Sequence, residues 1–395
     1  MKLACVVHRF GAGIAGGSEA HCLNIAERLA KQHDVTVLTT CARDHITWRN
    51  ELPAGETPMS ALRVLRFPVV RQRSLHRFAE ISEAVLAGAA SAIDQELWFR
   101  ENGPDAPALL DHLERHGREY DRVLFWAYRY ATSYFGLPPV ADRAVLLPTA
   151  EDDRVITLDV LGRYFSLPSA FMFLTPEEQD LVARRANGPL APATVIGSGL
   201  EPVSHHAPAH AEAIGIRKPF VLYLGRVDPN KGCETLVTHF RRYRTEGGQA
   251  AELVLAGPVN MPLPEDPDIR RLGYVDERLR HRLLEEAALL VVPSPYESLS
   301  LALLEAWNHG VCALVNGRCA VLRGQARRAN GALHYGDYGE FAAGLEYLLT
   351  NPAAARQLGA QGLAYVNREY RWPHVMAKIE SVLDPAARAR TVCQP

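Results

Sequence analysis

The chain has 395 residues, of which 48% are hydrophobic and 22% charged, so it is a folded protein that is too long for one ordinary core. Its formal net charge of −2 excludes a nucleic-acid binder held mainly by bulk electrostatics. Seven scattered cysteines without a C-x-x-C pair exclude a disulfide framework and a zinc site, and they predict a reducing, cytoplasmic setting.

The first half of the sequence begins with a strand at residues 2–7, a glycine-rich loop, a helix from about Ser18 and a second strand at 34–40. This order is how a doubly wound parallel sheet begins. Apolar runs and helical spacing predict the elements that follow, which are strands at 64–70, 122–126, 144–147, 171–174 and 193–196 and helices at 78–100, 106–116 and 176–186.

The second half repeats the alternation of strands and helices after a stretch rich in proline and histidine. Strands are expected at 220–224, 251–256, 272–275, 288–292, 311–315 and 331–335, and helices at 233–243, 277–287, 338–349, 352–369 and 372–383. We therefore predict two α/β domains, residues 1–200 and 220–370, joined by a linker at 201–219 and followed by a C-terminal segment at 371–395. The ligand is expected in the cleft between the domains.

Residues 63–77 are rich in basic side chains and contain no acidic one. A solvated face is the ordinary explanation of such a run, and the functional alternative is docking of an anionic acceptor or peripheral contact with the inner face of a membrane. No uncharged apolar run approaches the roughly 18 residues of a transmembrane segment, and no signal peptide is expected. The basic residues are Arg63, Arg66, Arg71, Arg73, His76 and Arg77.

The glycine loop has the sequence context of a dinucleotide-binding fingerprint, because Gly11-x-Gly13-x-x-Gly16 follows a strand and precedes a helix. A dinucleotide-dependent oxidoreductase is therefore one hypothesis. That fold also needs an acidic residue at the far end of the second strand, where residues 39–42 carry no carboxylate. A glycine loop against any phosphate or closely packed ligand explains the sequence equally well.

A second strand-to-helix loop, residues 225–232, carries Arg226 and Lys231 five residues apart. Both side chains can reach one diphosphate, Arg226 through its planar fork and Lys231 as a point charge. Taken alone, the two are explained by an ordinary surface pair. A phosphate site is favoured when they are taken with the glutamates described next, because the two loops are expected at the same edge of one sheet.

The stretch at residues 287–310 predicts a strand, a loop and a helix, with Glu297 in the loop and Glu305 inside the helix. A helix N-terminus offers unpaired amides and a positive dipole end, so it attracts anions. Carboxylates beside it suit the hydroxyls of a ligand whose phosphates the amides hold. The stretch thus predicts a pocket for a sugar-bearing phosphate compound, with a buried βα unit and two solvated glutamates as the alternative.

Together these loops resemble the retaining glycosyltransferases of family 4. The resemblance rests on the Gly-Arg-x-Asp-x-x-Lys-Gly pattern at 225–232 and on Pro-Ser-x-Tyr-Glu at 293–297, with a second glutamate eight residues later. The helix start at 16–19, the strand at 34–37 and the segment 370–372 extend it over nearly the whole chain. The resemblance implies the GT-B fold, in which two Rossmann-like domains with parallel sheets face each other across a cleft. It also implies that the helix in 371–395 crosses back to the first domain.

The resemblance also implies roles for individual residues. Arg226 and Lys231 would neutralise the diphosphate of a nucleotide sugar and Glu297 would hold hydroxyls of the transferred sugar, which makes these three the catalytic candidates. Glu305 would hold the ribose, the amides near residues 299–301 the phosphates, and the region that ends at Tyr274 and Val275 would meet the base. Gly16 and Gly17 would let the backbone of the first domain close on the donor. The remaining donor-binding candidates, beside the transferred sugar and the phosphates, are Ser298, Leu299, Ser300 and Leu301. No cofactor or metal is expected, and the donor expected is a UDP-sugar.

The acceptor side departs from the family pattern. Many relatives have a histidine after the mid-domain strand, where residues 126–130 of this chain read WAYRY. Tyr128 and Arg129, with Glu151 and Asp152 of the acidic loop after the next strand, are acceptor-side candidates by position alone. The acidic loop does not have the D-x-D spacing of a metal site, and a solvated turn or a helix start explains it equally well.

Three functional hypotheses follow. The first is metal-independent hexosyl transfer with retention, from a nucleotide-diphosphate sugar to an acceptor that is a glycan, a lipid-linked molecule or a small molecule. The second is an oxidoreductase that uses the Gly11 to Gly16 loop. The third is a GT-B-fold protein that binds without catalysis, which the missing histidine favours. The loop at 225–232 and the pair of Glu297 and Glu305 together favour the first hypothesis.

Overall fold

The computed structural model describes residues 1–384 except 12, 15, 204–214 and 218. Most of the predicted linker and the last residues of the predicted C-terminal segment therefore lie outside the described residues. The chain divides into two compact units, one formed by Met1–Gly197 with the residues from Met376, the other by Ser198–Val375. The domain limits expected from the sequence stay predictions.

The first unit is a mixed α/β unit with a mainly parallel sheet. Among its described residues the strands are β1 (Lys2–Val6), β2 (Asp34–Thr40), β3 (Gly55–Met59), β4 (Leu62–Phe67), β5 (Arg122–Trp126), β6 (Ala144–Leu147), β7 (Ala170–Phe173) and β8 (Ala193–Val195). The helices are α1 (Gly17–Leu29), α2 (Leu75–Ala84), α3 (Ala92–Asn102), α4 (Pro107–His116), α5 (Ala131–Tyr134), α6 (Val160–Tyr164) and α7 (Pro176–Arg185).

The strand order of this sheet is β3-β4-β2-β1-β5-β6-β7-β8. Strand β3 runs antiparallel to β4, and the other neighbouring strands are parallel. The order reverses between β1 and β5, because the chain builds outward from β1 on one side and from β5 on the other. In open α/β sheets the loops at such a reversal flank a ligand-binding crevice at the carboxyl ends of the strands.

The second unit is built on an all-parallel sheet. Its strands among the described residues are β9 (Phe220–Leu224), β10 (Glu252–Ala256), β11 (Ile269–Gly273), β12 (Leu289–Val292), β13 (Ala313–Asn316) and β14 (Ala332–Tyr335). Its helices are α8 (Cys233–Thr245), α9 (Glu277–Glu286), α10 (Leu301–Asn308), α11 (Ala320–Ala329), α12 (Tyr338–Thr350) and α13 (Pro352–Glu369). The order β11-β10-β9-β12-β13-β14 is that of a doubly wound sheet, and it reverses between β9 and β12.

Side-chain caps and buried apolar faces explain where these elements begin and pack. Thr175, Asp276 and Asp337 each accept a hydrogen bond from the amide three residues further on, at 3.2, 2.7 and 3.0 Å respectively. The two cores join strand and helix residues that are fully buried, such as Val6, Phe125, Leu109 and Leu113 in the first unit and Val221, Leu253, Leu236 and Phe240 in the second.

A last helix, α14 (Trp372–Leu383), follows α13. It begins in the second unit, and its residues from Met376 belong to the first. Within the first unit, Nε2 of His33 lies 3.0 Å from Oε1 of Glu380 on this helix. Within the second unit, the ring of Trp372 lies against Gly199, where an added Cβ would be 2.2 Å from Cδ2 of that ring.

Several local predictions are wrong. The helix expected at 78–100 is two helices, because the chain turns through Val85–Ala89, where Gly88 has a positive φ of 93°. The strand expected at 272–275 is Ile269–Gly273, so Tyr274 and Val275 follow the strand. Strand β3 and helices α5, α6 and α11 were not predicted. Strand β3 carries a glycine and a proline, which weaken a strand pattern.

Candidate functional site

The two loops that the sequence singled out meet at the carboxyl edge of the second unit's sheet. One follows β9 and the other follows β12, the two strands at the reversal in strand order. Nζ of Lys231 in the first loop donates to Oε1 of Glu297 in the second at 3.0 Å. Both side chains are partly buried, with 29% and 14% of their surface exposed. The structure therefore brings these two candidates into contact, and their chemical roles stay predictions.

Gly232 permits this close approach of the loops. Its φ of +74° is left-handed, and a Cβ placed there would lie 2.4 Å from the carbonyl oxygen of Pro293. Nδ2 of Asn316, at the end of β13, donates to that same oxygen at 3.1 Å. The loops after β9 and β12 and the end of β13 thus meet at the Pro293 carbonyl oxygen.

The backbone at Arg226 is held by a hydrogen bond from a residue of β9. Its carbonyl oxygen accepts a hydrogen bond from the buried Tyr223 hydroxyl at 2.6 Å. Its guanidinium is 41% exposed, and Nε lies 3.6 Å from Oδ2 of Asp228. Asp228 in turn accepts from the amide of Asn230 at 2.9 Å. The arrangement presents a cationic fork on a loop held by hydrogen bonds, which suits binding of a diphosphate.

Helix α10 begins one residue after Ser300, which caps it. The Ser300 hydroxyl accepts from the amide of Leu303 at 3.3 Å, and the Ser300 amide donates to Oε1 of Gln325 on α11 at 3.4 Å. The Ser300 amide that was expected to hold phosphate already has this partner. Leu299 is also buried, whereas Ser298 and Leu301 are partly exposed. The phosphate role fits the first amides of α10 better than Ser300.

Glu305 lies in α10 and is held by Arg280 of α9. Nη1 of Arg280 lies 3.0 Å from Oε1 of Glu305. Burial raises the pKa of Glu305, the Arg280 charge opposes this shift, and the nearby Glu277 adds to it. Arg280, which the sequence did not single out, therefore stabilises the ionised carboxylate that was predicted to hold a ribose.

Two histidines extend this cluster. Nδ1 of His309 lies 2.8 Å from the carbonyl oxygen of Glu305, so this nitrogen must donate. Nε2 of His309 then accepts from Nδ1 of His281 at 2.9 Å. Burial lowers the pKa of His309, in agreement with a neutral ring. Sequence reasoning missed the pair because His281 and His309 lie on two helices, and only the four-residue spacing from Glu305 to His309 hinted at it.

Tyr274 and Val275, the candidates for contact with a base, lie in the loop after β11. Tyr274 is 79% exposed and Val275 is partly buried. This loop and the two described above follow strands of the same parallel sheet, at its carboxyl edge. An exposed aromatic ring at that edge suits a stacking contact, and the role stays a prediction.

In the first unit, Gly16 lies directly against the carboxylate of Glu19. A Cβ at Gly16 would be 2.2 Å from Oε2 of Glu19, whereas Gly17 has open space around the same position. The carboxylate occupies the start of α1, where a dinucleotide fold binds its pyrophosphate. A negative charge there disfavours the oxidoreductase hypothesis.

A buried charged cluster surrounds that carboxylate. Oε1 of Glu19 lies 3.0 Å from Nε2 of His8 and also accepts from Nη2 of Arg9, and all three residues are at most 6% exposed. The ring of Tyr130 stacks on His8 at 3.7 Å. Burial by itself raises the pKa of Glu19, but His8 and Arg9 lower it to about 2. Sequence reasoning missed this cluster, whose signal is two basic residues directly after β1.

The acceptor-side candidates are only partly brought together. Nη2 of Arg129 lies 2.6 Å from Oδ2 of Asp153 and 3.9 Å from Oε2 of Glu151, whereas Asp152 is exposed. Asp153, which was not among the candidates, is therefore the nearer partner of Arg129.

Tyr128 does not fit its predicted acceptor role, because it is fully buried. Its ring packs against Phe165 at 5.5 Å, and burial raises the pKa of its hydroxyl. Its neighbour Ala127 and the residue Thr149 after β6 have positive φ values of 62° and 50°. Backbone strain of this kind concentrates at functional sites, and here it marks the two loops that carry the candidates.

The basic segment 63–77 is not a free cationic surface. Most of its charges are paired within the chain, with distances of 3.1 Å from Arg63 to Glu56, 2.8 Å from Arg71 to Glu101, 3.1 Å from Arg77 to Glu101 and 3.3 Å from His76 to Glu80. Arg73 lies over the Trp48 ring at 4.9 Å. The solvated-face explanation therefore fits better than docking of a membrane or an acceptor along the whole segment.

Within the described residues, no group of three or more histidine, cysteine, aspartate or glutamate side chains is placed to hold a metal ion. No helix in the described part of the chain is long and apolar enough to cross a membrane. The six cysteines in that part are buried free thiols.

The family model described as Glycosyl transferases group 1 matches residues 218–351 of this chain. Glycogen synthase 1 of Synechococcus sp. (strain JA-3-3Ab) is 29% identical over 185 residues, which are 40% of this chain. The chain spans only 36% of the length of that relative. The match of residues 218–351 includes both loops at the reversal between β9 and β12.

Solved structures are similar over nearly the whole chain. A sucrose-phosphate synthase from Thermosynechococcus elongatus has a TM-score of 0.71 at 16% identity, covering 98% of this chain and 99% of its own. The E. coli structure described as trehalose-6-phosphate bound with UDP-2-fluoro glucose has a TM-score of 0.72 at 14% identity, covering 97% and 99%. Identities this low show the fold alone, and the expected GT-B fold is confirmed.

Proposed function

We propose that the protein is a glycosyltransferase that moves a sugar from a nucleotide-diphosphate sugar to an acceptor. The observation that carries the proposal is the 3.0 Å contact between Lys231 and Glu297. This contact joins the cationic loop after β9 to the carboxylate loop before α10, at the strand reversal where such sheets bind ligands. The family match of residues 218–351 supports it.

Each group at this edge suits one part of the donor. Arg226, Lys231 and the first amides of α10 bind the diphosphate, where negative charge develops as it leaves. Glu297 accepts hydrogen bonds from hydroxyls of the transferred sugar. Glu305 accepts them from the ribose, and Tyr274 stacks on the base. UDP is the nucleotide proposed, since a structural neighbour is described as bound with UDP-2-fluoro glucose.

We propose that transfer retains the anomeric configuration through attack on the same face as the leaving group. The bond from the anomeric carbon to the diphosphate breaks, the bond to the acceptor oxygen forms, and a diphosphate oxygen takes the acceptor proton. Arg226 and Lys231 supply the positive charge that a metal ion supplies in other phosphate chemistry, so the proposed reaction is metal-independent.

We assign the acceptor to the first unit and leave its class open among glycans, lipid-linked molecules and small molecules. A cytoplasmic location is part of the proposal, because buried free thiols suit a reducing compartment. Peripheral membrane contact through residues 63–77 is not part of it, since most of those charges are paired.

Titration calorimetry with UDP, GDP and ADP tests the donor site. We expect one of them to bind, and we expect Arg226→Ala and Lys231→Ala each to weaken binding by about tenfold to a hundredfold, the effect of losing a charge-assisted hydrogen bond. Arg242→Ala is the matched control, because Arg242 is 58% exposed on α8, where it pairs with Glu246 and lies over the ring of Tyr338, and it belongs to neither loop. If no nucleotide binds, or both variants bind as the wild type does, the proposal is wrong.

Hydrolysis of a panel of nucleotide sugars separates an enzyme from a binding module, because it needs no acceptor. A transferase hydrolyses its own donor slowly, and Lys231→Ala should lower the rate of that hydrolysis strongly. Donor binding without detectable hydrolysis or transfer would instead support a GT-B-fold protein that has lost catalysis.

A further inference from the structure

We propose that the first unit contains an anion-binding site, formed by Arg9 and Arg66, that holds a phosphate or carboxylate group of the acceptor. Naming the ligand as the acceptor depends on the proposed transferase function, whereas the observations that support an anion site come from the first unit alone. The proposal narrows the open acceptor class to anionic molecules.

The site lies at the strand reversal of the first unit. His8 and Arg9 follow β1 and Tyr130 follows β5, and the stacked rings of His8 and Tyr130, 3.7 Å apart, join the two loops. Arg66 lies on β4, and its Nη2 donates to the carbonyl oxygen of Phe10 at 3.3 Å. Both arginines are thus tied to the loop after β1, at the place where open α/β sheets bind their ligands.

The charge at this place is unbalanced. Arg9 and Arg66 are permanently charged and only 6% and 7% exposed. Glu19 pairs with Arg9, whereas Arg66 has no ion pair among the described residues. Burial lowers the pKa of the Arg66 guanidinium, as expected for a cation removed from water without a counter-charge. An uncompensated buried charge is costly, and an anionic ligand would relieve that cost.

Unused hydrogen-bond donors point to the same ligand. Within the described residues, Nε of Arg9, Nε of Arg66 and Nδ1 of His8 are buried without a hydrogen-bond partner. Buried polar groups nearly always have one. Gly11 lies close to Arg66, since a Cβ at this residue would be in van der Waals contact with its Nη2 at 3.6 Å. Phosphate and carboxylate oxygens are the acceptors that such arginine donors favour.

A second arginine on β4 does have a carboxylate partner. Arg63, three residues before Arg66 on β4, forms two hydrogen bonds with Glu56 at 3.1 and 3.2 Å and is 49% exposed. Among the described residues, the exposed Arg63 therefore has a carboxylate partner and the buried Arg66 has none. Arg63 is the matched control for Arg66.

The test is calorimetry of the wild-type protein with matched ligands, at moderate and at high salt. The probes are inorganic phosphate, glucose, glucose 6-phosphate, fructose, fructose 6-phosphate and glucuronate. We expect phosphate and at least one anionic sugar to bind, the sugar about tenfold or more tighter than its neutral counterpart, with affinity falling as salt rises. Equal binding of neutral and anionic sugars, or no binding of any anion, would overturn the proposal.

Variants locate the site. Arg66→Gln should weaken anion binding by about tenfold to a hundredfold, and Arg63→Gln should leave it unchanged. Glu19→Gln removes the competing carboxylate, so phosphate should raise its melting temperature more than it raises that of the wild type. If Arg66→Gln does not fold, Arg66→Lys replaces it, because lysine keeps the charge and loses the fork. Anion binding by the Arg66 variant at wild-type strength would place the anion elsewhere and refute the site.

UDP binding measured on the same samples separates this inference from the proposed function. If UDP binds and no anionic sugar does, the anion site is refuted and the transferase proposal stands. If phosphate binds in a manner that depends on Arg66 and no nucleotide binds, the anion site stands and the transferase proposal is refuted.

Discussion

Both units hold charged side chains at the reversal in strand order of their sheet. The units differ in how deeply these side chains are buried. In the second unit Arg226, Lys231 and Glu297 are partly exposed on two loops, each within a short stretch of sequence. In the first unit His8, Arg9 and Glu19 are nearly fully buried. An exposed set can meet a ligand without losing its own contacts. In a buried set each charge that has a partner within the protein helps to hold the fold, so its substitution should damage the fold as well as function.

The largest expected effect belongs to the exposed set. Lys231→Ala should lower the rate of donor hydrolysis by about a hundredfold to a thousandfold, because it removes a positive charge from the leaving diphosphate. The melting temperature should fall less than that of Glu19→Gln, since the side chain of Lys231 is 29% exposed and that of Glu19 only 6%. Steady-state hydrolysis with a saturating nucleotide sugar, alongside thermal unfolding, measures both. If Lys231→Ala lowered the melting temperature but kept wild-type activity, Lys231 would serve the fold and the comparison would be wrong.

The buried set should respond in stability instead. Glu19 has a pKa of about 2 in the folded chain against an ordinary value of 4.5, so the ionised form stabilises the fold. This contribution is complete above about pH 4.5 and is lost as the pH falls towards 2. Glu19→Gln should therefore cost about 3 kcal/mol of unfolding free energy at pH 7, and the difference from wild type should shrink in acid. Urea unfolding at pH 7 and pH 3 measures it, and a difference independent of pH would contradict this account.

Gly232→Ala tests the contact between the two loops of the second unit. The added methyl group would lie 2.4 Å from the Pro293 carbonyl oxygen at a left-handed φ of +74°, and we expect a loss of about 2 kcal/mol. Gly310→Ala is the matched control, since its φ of +70° is similar but its added Cβ meets no atom within 4 Å. Thermal unfolding of the two variants separates the cost of the clash with Pro293 from the cost of the left-handed backbone, which both variants share. Equal losses would show that the loops do not touch as described.

The smallest expected effect concerns Arg280. Its charge opposes the burial that raises the pKa of Glu305. Arg280→Ala should raise that pKa further, so that UDP binding weakens by a factor of about three to ten as the pH falls from 7.5 to 5.5. UDP that lacks the ribose hydroxyls should not show the added pH dependence. Calorimetry at both pH values decides it, and an unchanged pH profile would remove Glu305 from the ribose site.

The second unit was the more predictable half because its signals are local. In that unit the bounds of β9 and α13 match the predicted ones residue for residue, although β2, β5 and β6 of the first unit match equally well. Arg226, Lys231 and Glu297 stand at fixed places in strand-loop-helix units, so parallel-sheet geometry was sufficient to predict that their loops meet. Arg280 could not be predicted, since its partner Glu305 lies 25 residues away on another helix.

The first unit was less predictable because its contacts join distant strands. Arg66 belongs to a run of arginines in which the sequence cannot separate a buried cation from exposed ones. Glu19 was recognised only as part of a helix start, since its pairing with Arg9 depends on the turn of the glycine loop. Tyr128 and Asp153 show the same limit, because the sequence does not tell which of several adjacent loop residues points inward where the backbone is irregular, as it is at Ala127 and Thr149.

The central claim is that the loops after β9 and β12 form one donor site, in which Lys231 meets the diphosphate and Glu297 meets the sugar. Calorimetry of UDP and of its best UDP-sugar against wild type, Lys231→Ala and Glu297→Gln tests it most directly. We predict that Lys231→Ala weakens both ligands and that Glu297→Gln weakens the UDP-sugar by about tenfold or more while leaving UDP unchanged. Wild-type affinity of both variants for both ligands would contradict the claim.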